Sequence, residues 1–76
     1  MTMTYEYRFE EIERRALTAQ TEDAIRELGE WYQDFGSMFW NGEHYTGKFN
    51  GREYQIAPVY EETDEDIFEI VGWELR

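Results

Sequence analysis

Tyr5-Glu6-Tyr7-Arg8-Phe9-Glu10-Glu11-Ile12-Glu13-Arg14-Arg15-Ala16-Leu17-Thr18-Ala19, with Met3 and Thr4 ahead of it, is the stretch on which the fold turns. Met3, Tyr5, Tyr7 and Phe9 alternate with Thr4, Glu6 and Arg8, which is the pattern of a half-buried strand. The phase breaks at Glu10-Glu11. Beyond it, the Glu, Ile, Arg, Ala and Leu of residues 12–19 favour helix by propensity. The same run leads directly into Gln20-Thr21 and a fresh helix start, as a strand feeding a helix would. Residues 12–19 are read as a second strand, with a tight turn or bulge at Glu10-Glu11.

The helix that follows is the best-specified element. Thr21 is the N-cap candidate, and Glu22 and Asp23 occupy the first turn, where the helix dipole favours negative charge. Ile25, Leu28, Tyr32 and Phe35 recur at helical spacing, Ala24 and Trp31 widen the stripe, and Gly36 marks the end. Gly29 costs roughly 1 kcal/mol relative to alanine in a helix interior. Close approach to a sheet is the expected reason for it.

The remainder reads as strands. Asn41-Gly42 and Asn50-Gly51 are type I′ hairpin signals, the second flanked by His44–Phe49 and Arg52–Tyr60. Pro58 has no amide hydrogen, so it marks an edge or a strand end. Glu61 to Asp66 forms a polar loop, and residues 67–75, apolar on both faces, form a central or doubly covered strand. The expected fold is α+β: a single antiparallel sheet of about five strands with one helix packed on one face, in the order ββαβββ, plus a short strand at 37–40. One helix cannot cover every aromatic, so an aromatic sheet face is expected to stay partly open.

The 76 residues suffice for one domain. The core must draw on Trp, Tyr and Phe, because Ile, Leu and Val are few. With 18 Asp and Glu against 7 Lys and Arg, the formal net charge is -11. That charge opposes direct nucleic acid binding, which needs a basic surface. The absence of cysteine excludes a disulfide scaffold, a zinc finger, an Fe–S site and a thiol nucleophile. Apolar runs such as Met38-Phe39-Trp40 are far too short to span a membrane. Met1-Thr2-Met3-Thr4 has neither a basic nor an apolar signal region, so a cytoplasmic location is expected.

Catalytic chemistry finds little support. His44 and Ser37 are single residues of their kind, and no nucleophile elbow, P-loop or dinucleotide fingerprint occurs. Asp64-Glu65-Asp66 with Glu69 lacks the glycine and the spaced bidentate glutamate of a calcium loop. No catalytic residue, metal or cofactor is assigned, and the chain is expected not to be an enzyme.

Charge patterning carries the functional expectation. Asp23, Glu27, Glu30 and Asp34 fall on one helical stripe, opposite Ile25, Leu28, Tyr32 and Phe35. No Lys or Arg lies between Arg52 and Arg76, a span that contains Glu61, Glu62, Asp64, Glu65 and Asp66. Like charges at helical spacing cost a few tenths of a kcal/mol per pair. These nine carboxylates are therefore the candidate contact residues for a basic surface on a protein partner, including a nuclease or another nucleic-acid-binding protein.

In size, acidity and lack of catalytic residues, the chain resembles the small phage-encoded inhibitors of host defence, the anti-CRISPR and anti-restriction proteins. The resemblance is one of character and no motif carries it, so no residue roles transfer. It implies DNA mimicry as the strong form of the expectation. The helical stripe spans about 16 Å with roughly one charge per 5 Å, sparser than one DNA strand, so mimicry needs a second row from residues 61–66 or from another subunit. The alternative expectation is a structural or accessory domain that homodimerises through the aromatic sheet face.

Overall fold

The computed structural model describes residues 5–76, and of residues 5–7 only the backbone. Two helices, α1 (Tyr5–Ala19) and α2 (Glu22–Phe35), precede a short 3-10 turn (Ser37–Phe39) and three strands, β1 (Tyr45–Phe49), β2 (Arg52–Asp64) and β3 (Ile67–Leu75). The sheet is an antiparallel meander in the order β1-β2-β3. The fold is α+β, with two helices followed by a three-stranded sheet. It departs from the expected ββαβββ order and strand number. Met3 and Thr4 of the expected first strand lie outside the described residues.

The correction concerns the opening stretch. The alternation of aromatics is confined to residues 5–9, whereas a helical spacing runs on through Phe9, Ile12 and Ala16. Ile12 and Ala16 are buried, and Phe9 packs against the same core. An Arg14–Glu11 pair at 2.6 Å stabilises one turn of α1. Gln20 ends the helix in the left-handed region (φ 53), its amide bonded to the Ala16 carbonyl at 3.1 Å. A glycine would have announced this stop, and glutamine conceals it. The two-residue link then turns the chain into an αα-hairpin.

α2 follows its expectation except at Phe35, the last residue of the apolar stripe, which is half exposed. The Thr21 hydroxyl accepts from the Ala24 amide at 3.2 Å, and Leu28 and Tyr32 are almost fully buried. Gly29 faces the ring of Trp73 on β3, where a Cβ would overlap the indole. The helices and the sheet meet in an aromatic core. Tyr32 stacks on Tyr45 at 5.3 Å and meets Phe9 edge-on at 5.6 Å, while Trp31 stacks on Phe9 at 4.1 Å.

Asn50-Gly51 makes the expected tight turn, with φ of 51 and 78. Asn41-Gly42 does not make a two-residue turn. It belongs to a loop closed by a bridge between Trp40 and Tyr45, in which the Asn41 side chain accepts from the amides of Glu43 and His44 at 2.9 and 3.0 Å. The expected strand at 37–40 is the 3-10 turn instead.

β2 and β3 extend well past β1, which pairs β2 only as far as Tyr45 opposite Ile56. Residues 61–64, expected as loop, belong to β2, and the turn itself is Glu65-Asp66, with Asp66 at φ 65. β3 is an edge strand, not a central one. A register shift at Val59/Tyr60 leaves Val71 as the extra residue on β3 and brings Ile70 to the face that carries Trp73.

Tyr45, Tyr54, Ile56 and Trp73 lie on the helix-covered face. By alternation the opposite face carries Thr46, Lys48, Glu53, Gln55, Ala57 and Val59, of which Lys48, Glu53 and Val59 are exposed and Ala57 is buried. The expected open aromatic face is therefore the covered one. Among the described residues, no helix is long and apolar enough to cross a membrane.

Candidate functional site

The helical stripe forms as expected on α2, but arginines accompany it. Arg26 lies 3.0 Å from Asp23 and 3.9 Å from Glu30, and Arg15 of α1 lies 3.5 Å from Glu27. These pairs are half exposed, so each is worth between zero and about 1 kcal/mol. They nonetheless set positive groups within the row. Arg15 could not have been placed from a strand reading of α1. Asp34 stands with Arg8, Glu27, Glu30, Trp31 and Phe35 around a groove between the two helices.

The second group sits on the β2–β3 ribbon. Glu61, Glu62 and Asp64 are on β2, Glu65 and Asp66 at the turn. All five are exposed. Among the described residues, no ion pair reaches any of them. Glu69, absent from the expected site, stands directly opposite Glu61 in the ladder. Like charges facing each other across strands are destabilising. Only strand register could reveal this pair. Between the carboxylates the ribbon exposes Tyr60, Ile67, Phe68 and Val71, each more than half open to solvent.

The two acidic groups approach each other at one place. Glu30 and Gln33 of α2 border the same groove as residues 69–73 of β3, with Arg26 beside them. The turn at Glu65-Asp66 lies three or four residues farther along the ribbon, roughly 10 Å or more at strand rise. The tip carboxylates and the helical stripe therefore do not merge into one compact patch.

A buried polar chain went unread in the sequence. Tyr54 on β2 donates its hydroxyl hydrogen to Glu13 on α1, and the hydroxyls of Tyr32 and Tyr54 are 2.8 Å apart. Because Tyr54 has a single proton to give, Tyr32 is the donor to Tyr54. Burial pushes the Glu13 carboxyl above its ordinary 4.5; the Tyr54 hydrogen bond pulls it down, and the nearby charge of Glu10 pushes it up again. Burial likewise raises Tyr32, and burial together with the bond to Glu13 raises Tyr54. The arrangement fixes α1 to the sheet and keeps both phenols protonated. The available signal was a glutamate between Ile12 and Ala16, on the apolar side of a helix.

His44 is half-buried beside its loop, its Nε2 3.1 Å from the Asn41 side-chain amide. Among the described residues, no group of three or more His, Asp or Glu is placed to hold a metal ion. No family model, no curated protein and no solved structure matches the chain.

Proposed function

We propose that this chain is a small acidic, non-enzymatic interaction module that docks on a basic site of a protein partner, with the β2–β3 ribbon as its principal contact. One observation carries the reading. Glu61, Glu62, Asp64, Glu65, Asp66 and Glu69 project on an exposed ribbon with no arginine or lysine in ion-pair reach among the described residues, interleaved with Tyr60 and Phe68. Unshielded charge speeds encounter with a cationic surface, and exposed aromatics supply contact area once it is reached.

The stripe of Asp23, Glu27, Glu30 and Asp34 plays a secondary part, because Arg26 and Arg15 thin its charge. This favours a docking module over a strict DNA mimic, which would need two dense parallel rows. Inhibition of a basic nuclease, the anti-CRISPR or anti-restriction character, is the specific form in which such docking would act.

Capture of basic DNA-binding proteins from a host extract, at low and high salt, tests the reading. Binding should collapse at high salt and be lost on reversal of Glu61, Glu62 and Glu69 to lysine. Reversal of Asp23 and Asp34 should weaken it far less. Binding untouched by the ribbon reversals would overturn the proposal.

On the sheet, the homodimer alternative is left with Tyr60 and Phe68, since Tyr45 and Tyr54 are covered. A dimer that persists in about 1 M salt would favour it.

A further inference from the structure

We infer that the outer edge of β3 accepts an extended, basic segment of the partner as a fourth strand. The inference rests on the reading of the ribbon as a contact for a basic protein and specifies how that contact is made.

β3 ends the sheet order, so among the described residues the amides and carbonyls on its far side have no strand to pair with. Such an edge is a template for strand addition. The ribbon's other free edge, the part of β2 beyond Ile56, is guarded. Gln55 exchanges both backbone hydrogen bonds with Arg76, so by alternation the nitrogen of Pro58, opposite Trp73, points away from β3 to the side that β1 leaves uncovered. A proline there has no hydrogen to offer an added strand. β3 contains neither proline nor lysine, and its guards are carboxylates, Glu69 and Glu74.

Those carboxylates select the occupant. A second copy of this chain would bring another -11 of charge to the edge. A strand carrying Lys or Arg at alternate positions brings the opposite sign. It would lie along the groove between β3 and α2, where Glu30 and Gln33 face residues 69–73 and Arg26 is already held by Asp23 and Glu30. On the face opposite Glu69 and Glu74, exposed Phe68, with Ile70 beside it, offers apolar contact to the residues between the basic ones.

The test uses the whole chain and a nine-residue probe peptide alternating Lys and Val, with amide hydrogen exchange followed by NMR. Two controls have the same charge: the peptide N-methylated at every second residue, and one with prolines at those residues. The expected result is at least tenfold slower exchange at the outward amides of β3 with the first peptide, and at least tenfold weaker binding of both controls. If all three peptides bind alike and β3 exchange is unchanged, strand addition is overturned while the basic-partner reading stands. If none binds at low salt, both fall. Protection of β3 in the peptide-free chain that grows with protein concentration would assign the edge to a second copy and overturn the inference.

Discussion

Tyr54 on the central strand donates its hydroxyl hydrogen to Glu13 on the first helix, a bond that joins residues 41 apart in the chain. Tyr32 supports the same hydroxyl from α2, so one chain of three side chains ties both helices to the sheet. Removing the Tyr54 hydroxyl leaves a buried carboxylate without its donor. Tyr54→Phe should therefore cost about 1–3 kcal/mol or more, and Glu13→Gln, which can still accept from Tyr54, distinctly less. Denaturant melts of the two variants check the order. A Tyr54→Phe variant as stable as the parent would mean that the bond contributes nothing to stability.

Glu13 also sets a pH dependence. Its folded pKa lies above the unfolded value, so the folded state binds the extra proton between the two. The corresponding stability is fully present below about 4.5 and is lost as pH rises through the folded value. The melting temperature should fall as pH rises over this window. In Glu13→Gln the fall should be shallower, leaving only general carboxylate repulsion. Parallel curves for the two proteins would remove Glu13 from the account.

Gly29 and Gly72 make a contrasting pair. A Cβ at Gly29 would overlap the Trp73 indole, whereas a Cβ at Gly72 meets nothing within 4 Å. Gly29→Ala should destabilise by roughly 1–3 kcal/mol despite alanine's better helix propensity, because overpacking outweighs the gain. Gly72→Ala should be close to neutral. Thermal melts of both suffice, and a neutral Gly29→Ala would show that α2 is free to move off β3.

Glu61 and Glu69 face each other across the ribbon. Glu69→Lys turns a repulsive pair into an attractive one and should stabilise the chain by about 0.2–1 kcal/mol while weakening any basic partner. Opposite signs on stability and binding would distinguish a contact residue from a structural one, so both quantities should be measured on the same variant.

Ionic strength reports the whole surface. With a net charge of -11, self-repulsion opposes the compact state, and added salt should raise the melting temperature. Indifference to salt would mean that Arg15, Arg26 and the other cations already balance the acidic groups locally.

Local chemistry was legible wherever it decided the outcome alone. Thr21 and the spacing of Ile25, Leu28 and Tyr32 specified α2 from cap to core face, and Asn50-Gly51 specified its turn, because backbone preference and patterning agreed there. Residues 5–19 were different: three alternating aromatics suggested a strand, and only the burial of Ile12, Glu13 and Ala16 against α2 and the sheet selects the helix. The acidic character and the helical row of carboxylates were readable in one dimension. Their arginine neighbours, the Glu61–Glu69 opposition, the open edge of β3 and the carboxylate under Tyr54 were not, since each joins residues through packing and strand register, which the order of residues along the chain does not express.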